Sequence, residues 1–172
     1  MKIIKTAIKN LYILKINKIK DKRGYFAEIY NSNKKKQNLN FKFLQQNISF
    51  SKNKSTFRGM HFQKGKFAQD KLIMLIKGEI DDYVFDLRKN SPTYKKQVKI
   101  NLKEDTSQII FVPKGCAHGF LTKKKNTIVM YSVTKNYHPN SDFGFNYKSL
   151  KINLPKRITI SNKDMNLPAL SI

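Results

Sequence analysis

Apolar positions along the chain recur in short runs rather than at helical spacing, and the runs are rich in β-branched and aromatic residues. Residues 72–76, the pair Lys77-Gly78 and residues 79–87 predict strand, tight turn and strand. The stretch Arg88-Lys89-Asn90-Ser91-Pro92 carries turn chemistry: Asn and Ser bond their own backbone and Pro presets φ. Residues 94–102, 108–112 and 126–134 predict further strands. Residues 161–172, polar and then apolar around Pro168, predict an extended segment over the domain rather than a helix. Many short strands without interleaved helices predict an all-β fold, an antiparallel barrel or jelly roll with few short helices.

Composition narrows the function classes. The 172 residues include only 7 Gly and 5 Pro, and no linker or repeat divides them, so residues 1–172 read as a single domain. At 40% hydrophobic and 12% aromatic residues there is material for a core, which argues against long disorder. A formal net charge of +24 would attract polyanions. Only Arg23, Arg58, Arg88 and Arg157 are arginines, however, and the lysines are scattered. No basic stripe interleaved with stacking aromatics and no named motif is present, which argues against a nucleic-acid partner. Lys34-Lys35-Lys36 and Lys123-Lys124-Lys125 are the obvious anion patches, read more simply as exposed loop tips. Cys116 is the only cysteine, which suits a reducing compartment. Lysines interrupt the first 20 residues before a signal-peptide core can form, and no run approaches a membrane span, so the cytoplasm is the expected location.

Candidate chemistry is sparse enough to weigh singly. Neither Gly-x-Gly-x-x-Gly nor a phosphate-binding Gly-x-x-x-x-Gly-Lys-Ser/Thr occurs, which argues against a Rossmann dinucleotide site or P-loop. The histidines are His61, His118 and His138. His61 stands in Arg58-Gly59-Met60-His61-Phe62-Gln63, where an isolated imidazole reads as a strand residue as readily as a functional one. A metal reading wants His-x-His and a following Glu, whereas this segment has His-Phe-Gln. Arg58 beside Gly59 points instead to an anionic ligand, since a guanidinium fork matches phosphate oxygens and glycine permits close approach.

With Asp21-Lys22-Arg23-Gly24-Tyr25-Phe26-Ala27-Glu28 ahead of it, the Arg58 to Gln63 segment resembles the signature pair of the dTDP-4-dehydrorhamnose 3,5-epimerases. The likeness continues in order through Gln45-Gln46-Asn47-Ile48-Ser49, Lys71-Leu72, Asp86-Leu87-Arg88 with Ser91-Pro92-Thr93, residues 113–120, Tyr137-His138-Pro139 and Ser161-Asn162-Lys163-Asp164. The resemblance implies a cupin-type jelly roll, usually a homodimer, using neither metal nor redox cofactor. It further implies inversion of C3 and C5 in a dTDP-4-keto-6-deoxy sugar. Both carbons flank the C4 ketone, so removing either proton gives an enolate, and reprotonation on the opposite face inverts the centre.

Residue by residue, the resemblance makes His61 the base and Asp164 the carboxylate that orients it. It makes Tyr131 the acid on the opposite sugar face and Lys71 the cation near the C4 oxygen. Gln63 and His118 fall at site-lining positions, and Arg23, Phe26, Glu28, Gln45 and Arg58 fall where the family binds the nucleotide. The amino-terminal group of these is expected to serve a neighbouring subunit's site. His138 carries no family role and reads as a solvated loop residue. Pro113, Gly115 and Gly119 are read as shaping a barrel turn.

The chain departs from the family near the carboxyl end. Where relatives often have Glu-x-Gly-Ile-x-Trp-x-Asp, it reads Asp142-Phe143-Gly144-Phe145-Asn146-Tyr147-Lys148, and the following residues 149–155 are shorter than usual. Asp142 is thus a shortened carboxylate on the expected substrate wall. Two rival readings follow: an epimerase acting at C3 alone on a related nucleotide sugar, and a non-enzymatic basic binding protein.

Overall fold

The structure, a computed structural model, describes residues 2–31, 42–150 and 152–171. Its strands are β1 (Lys2–Lys5), β2 (Tyr12–Lys15), β3 (Ile19–Asp21), β4 (Gly24–Phe26), β5 (Gln45–Ser51), β6 (Phe57–Gln63) and β7 (Lys71–Lys77). They continue with β8 (Glu79–Asp86), β9 (Gln97–Lys103), β10 (Gln108–Val112), β11 (Cys116–Thr122), β12 (Thr127–Val133) and β13 (Asp142–Gly144), and α1 (Asn162–Met165) follows. A six-stranded sheet ordered β1-β2-β10-β7-β12-β5 packs on a five-stranded sheet ordered β13-β6-β11-β8-β9. Pairing between the named strands is antiparallel, and the non-sequential strand orders are those of a jelly roll.

Period-two alternation explains the layers. In β7, Ile73 and Leu75 enter the core between the sheets while Leu72 and Met74 face an outer cluster. In β8, Ile80 and Val84 point inward and Tyr83 and Phe85 outward; in β11, Phe120 points inward and Ala117 and Leu121 outward. The outer face of the five-stranded sheet is covered by the chain's last part, through Phe145, Leu150, Ile158 and Leu170. Burial on this scale contributes roughly 25 cal/mol per Å² of apolar surface, so both faces of that sheet hold the fold together.

The turn at Lys77-Gly78 carries the chain from one sheet to the other, since β7 and β8 belong to different sheets. Gly78 has φ 97°, and its N–H donates to Glu104 Oε2 at 2.6 Å. A second junction fixes the start of the chain. Asp86 accepts from Arg88 Nε (2.7 Å), Ser91 Oγ (2.8 Å) and Thr93 Oγ1 (2.7 Å), and Arg88 Nη2 reaches Lys9 O at 2.7 Å.

Four expectations need correction. Gly119, expected to shape a turn with Pro113 and Gly115, lies within β11, paired with Tyr83. The strand expected from residue 94 begins at Gln97, because Tyr94 N–H bonds Ser91 O and Lys95 takes φ 66°, closing a turn there. The extended segment expected over 161–172 opens with one helical turn, α1, because the Ser161 hydroxyl accepts from Asp164 N–H at 3.1 Å. His138 is half-buried, its ring stacked on Phe67 at 3.9 Å, rather than simply solvated. Of the two lysine runs, Lys34-Lys35-Lys36 lies outside the described residues, and Lys123-Lys124-Lys125 is exposed in the β11–β12 turn.

Candidate active site

The spacing Arg58-Gly59-Met60-His61 acquires its meaning from the pairing of β6 with β11. His61 opposes His118 and Arg58 opposes Phe120, so three positions on β6 span two on β11. Gly59 lies in this bulge, which brings Arg58 and His61 onto one face while Phe57 and Met60 share the other. Gly59 has φ 126°, and a β-carbon there would lie 2.5 Å from Gly119 Cα and 2.9 Å from His118 O. Only glycine fits on both counts.

The face so formed lines a cleft of about 680 Å³ between the two sheets. Arg58, His61 and Gln63 reach it from β6 and His118 from β11; Lys71, Tyr131 and Gln45 reach it from β7, β12 and β5 of the other sheet. Asp142 at the head of β13 and Asp164 in α1 complete the lining.

His61 Nε2 lies 2.8 Å from Asp164 Oδ1, and Asp164 Oδ2 accepts from Gly59 N–H at 3.1 Å. Burial raises the Asp164 carboxyl, but the His61 hydrogen bond and charge, with the Gly59 N–H, hold it below the usual carboxylate range. An ionised carboxylate only accepts, so it fixes the imidazole proton on Nε2 and leaves the lone pair on Nδ1. Arg58 crosses to β5, donating from Nε to Ser51 Oγ (3.1 Å) and from Nη2 to Phe50 O (2.8 Å). Burial pushes the Lys71 amine down to about 8 against the opposing pull of Asp142 and Asp82, and its Nζ lies 3.4 Å from His61 O. Burial pushes the Tyr131 phenol up, Arg58 opposes this and Asp142 adds to it. The cleft therefore holds a carboxylate-oriented imidazole on one wall and, on the other, a protonated phenol and an amine drawn down to about 8.

Gln45 and Gln63 line the cleft with their amides engaged. Gln63 Nε2 donates to Phe67 O (3.0 Å) and Asn136 O (3.2 Å), and its Oε1 accepts from His138 N–H at 2.7 Å. Gln45 Oε1 accepts from Tyr137 N–H at 2.8 Å. Arg23, Phe26 and Glu28 do not join this cleft within the chain. Arg23 and Phe26 belong to the β3–β4 hairpin and its turn, where Arg23 pairs with Asp21 at 2.6 Å and Phe26 is 69% exposed. Glu28 follows on the exposed chain and accepts from Asn31 Nδ2 at 3.0 Å.

Residues beyond the sequence reading also enter the site. Asp82, fully buried, bonds His118 Nε2 at 2.7 Å; burial pushes its carboxyl up, with His118 and Lys71 opposing. β8 carries four carboxylates, Glu79, Asp81, Asp82 and Asp86, so the sequence does not single out Asp82. Lys163 Nζ meets Asp142 Oδ2 at 2.7 Å, and Tyr137 OH donates to the same oxygen at 3.3 Å. Of the departures near the carboxyl end, Asp142 faces the cleft, whereas Tyr147 packs on Phe57 at 5.3 Å in the outer cluster. Among the described residues no three His, Cys, Asp or Glu side chains converge as metal ligands.

Residues 5–171 match the family model described as dTDP-4-dehydrorhamnose 3,5-epimerase. The dTDP-4-dehydrorhamnose 3,5-epimerase of Escherichia coli (strain K12) is 37% identical over 173 residues, covering 97% of this chain and 93% of that protein. The crystal structure of the Bacillus anthracis dTDP-4-dehydrorhamnose 3,5-epimerase, with TDP and PPi bound, matches with TM-score 0.92 at 39% identity, covering 98% of this chain and 99% of that one. The dTDP-6-deoxy-D-glucose-3,5-epimerase of Legionella pneumophila, in complex with dTDP-4-keto-L-rhamnose, matches with TM-score 0.84 at 29% identity over 99% of both chains. On this extent of agreement, the chain belongs to the dTDP-4-dehydrorhamnose 3,5-epimerase family.

Proposed function

We propose that the protein is a dTDP-4-dehydrorhamnose 3,5-epimerase, inverting C3 and C5 of dTDP-4-dehydro-6-deoxy-D-glucose on the way to dTDP-L-rhamnose and the polysaccharides that contain it. The observation that carries the reading is the His61–Asp164 pair on one sheet wall of a cleft whose other wall holds Tyr131 and Lys71. His61 Nδ1 takes the proton from the carbon beside the ketone, and the electron pair moves onto the C4 oxygen as an enolate. Lys71, as ammonium, stabilises that oxygen more in the enolate than in the ketone. Tyr131 gives its phenolic proton to the opposite face, and proton exchange with water resets both groups. The sequence is redox-neutral, so it consumes no electron acceptor.

In this reading Arg58 takes a diphosphate oxygen pair, Gln45 and Gln63 shape the cleft, His118 and Asp142 line its sugar end, and the nucleotide is completed from a second subunit. Arg23, Phe26 and Glu28 of one protomer enter the cleft of its partner in a homodimer. Two exposed apolar surfaces support this: the hairpin, with Ile19 68% and Phe26 69% exposed, and edge strand β5, with Ile48 72% exposed. A cytoplasmic location is supported by the single buried cysteine, and among the described residues no helix is long and apolar enough to cross a membrane.

The test is incubation with dTDP-4-dehydro-6-deoxy-D-glucose in deuterium oxide, followed by proton NMR at C3 and C5. Deuterium at both carbons, abolished by His61→Ala, is the expected result. Exchange at C3 alone would convert the reading to a C3-epimerase, and exchange at neither would refute the substrate.

A further inference from the structure

A second concavity, of about 510 Å³, lies at the end of β6 and β11 and shares no lining residue with the cleft. Phe120 points into the cleft and its neighbour Leu121 into this pocket, so the five-stranded sheet separates the two. Its polar lining comes from three stretches of chain: Lys54 and Ser55, Thr122 and Lys123, and Lys156 and Arg157.

The walls are held by backbone bonds. Ser55 N–H donates to Thr122 O at 2.7 Å, Thr159 N–H to Ser55 O at 2.9 Å, and Phe57 N–H to Thr159 O at 2.8 Å. The backbone beneath the four exposed cations is therefore already formed, which lowers the main-chain ordering cost of binding. Lys123 has a carboxylate within reach, Asp81 at 3.7 Å. Lys54, Lys156 and Arg157 have none among the described residues. The Thr122 hydroxyl is spent on Asn53 O and Thr56 N–H, both 2.9 Å away, whereas no hydrogen bond uses the Ser55 hydroxyl among the described residues.

Arg157 sharpens the case because arginines are scarce in this chain. Arg88 is consumed by Asp86, Arg23 by Asp21, and Arg58 belongs to the cleft. The fourth stands beside three lysines in a recess, where its planar fork suits phosphate oxygens. Among the described residues no aromatic side chain lines the pocket, so they offer nothing for a base to stack on. Its shape and charge suit a compact polyanion.

We propose that this pocket is a second anion site, binding a small phosphorylated ligand of the diphosphate class through Lys54, Lys123, Lys156 and Arg157, independently of the cleft.

Inorganic pyrophosphate is titrated calorimetrically into full-length Arg58→Ala protein, whose cleft lacks its own arginine, with and without Lys156→Ala/Arg157→Ala. A matched pair, Lys99→Ala/Lys103→Ala on β9, removes the same charge elsewhere. The expected result is saturable one-to-one binding, weakened at least about tenfold by the pocket pair and less than about twofold by the β9 pair. Equal weakening by both pairs would reduce the effect to the general positive field and overturn the proposal, as would the absence of saturable binding. Lys54→Ala, on a different segment, supplies an independent reading should the double variant's melting curve shift, with about threefold weakening expected.

Discussion

Asp164 Oδ1 sits 2.8 Å from His61 Nε2, tying the first turn of α1 to the bulged strand β6 across 103 positions of sequence. The same carboxylate holds Gly59 N–H through its other oxygen, so one side chain fixes both the imidazole and the bulge that aims it. The orientation of the imidazole and the local backbone geometry are thus coupled.

His61→Ala is expected to lower kcat by about 10³ or more, with the melting temperature little changed, since a positioned general base contributes about 10²–10⁴. Asp164→Asn keeps the shape but no longer dictates which nitrogen carries the proton, and is expected to lower kcat by about 10²–10⁴ with a smaller change in KM. Steady-state kinetics beside thermal melts checks both. A loss explained by unfolding alone would deny either residue its role.

Lys71 predicts the alkaline limb of the rate profile. Its amine is drawn down to about 8 by burial, so the ammonium proposed to stabilise the enolate is present below that value and lost as pH rises through it. The rate is therefore expected to fall above about pH 8. Lys71→Arg, charged throughout, should move that limb out of range, and Lys71→Met should lower kcat by about 10²–10³ with no limb near 8. Initial rates between about pH 6.5 and about 9.5 decide the matter.

Much of this architecture was legible in the sequence because its sheets obey a simple period. Leu72 to Ile76 and Gln108 to Val112 read as strands since their side chains must divide between two apolar layers. Turn chemistry at 88–92 was visible too, but not that Asp86 would gather Ser91 and Thr93 and delay β9 to Gln97. The short helix α1 was missed although Ser161-x-x-Asp164 is a capping pattern, because Pro168 and the polar run suggested extended chain. The site was legible chiefly through resemblance. Nothing in periodicity says that Gly59 is a bulge, and nothing near His118 in sequence names Asp82 as its partner, since β8 and β11 meet only in the folded sheet.

Acid stability should depend on Asp86. Burial acts to raise its carboxyl, but hydrogen bonds from Arg88, Thr93 and Ser91 hold it well below the usual carboxylate range. As pH falls, the unfolded chain takes up the proton first, so the stabilisation is complete above about pH 4–5 and is lost progressively below it. Asp86→Asn should cost about 3 kcal/mol at neutral pH, because Arg88 loses its partner in a half-buried corner, and should flatten the acid side of the stability curve. Urea unfolding at several pH values provides the check, and a parallel acid slope in wild type and variant would rule Asp86 out as its source.

The placement of Arg23 and Phe26 outside the cleft that holds His61 makes shared sites testable with two inactive proteins. A His61→Ala protomer still carries an intact hairpin, and an Arg23→Ala/Phe26→Ala protomer still carries an intact His61, Tyr131 and Lys71. If each cleft borrows the hairpin of its partner, a mixed dimer contains one complete cleft and one with both defects. Random exchange makes about half of the dimers mixed, so about a quarter of all clefts become competent. Turnover should therefore return to about a quarter of wild type once the two proteins have exchanged subunits. If instead each hairpin folded onto its own cleft, every cleft in the mixture would remain defective. Activity would then stay at the sum of the two variants, and the homodimer would lose its place in catalysis.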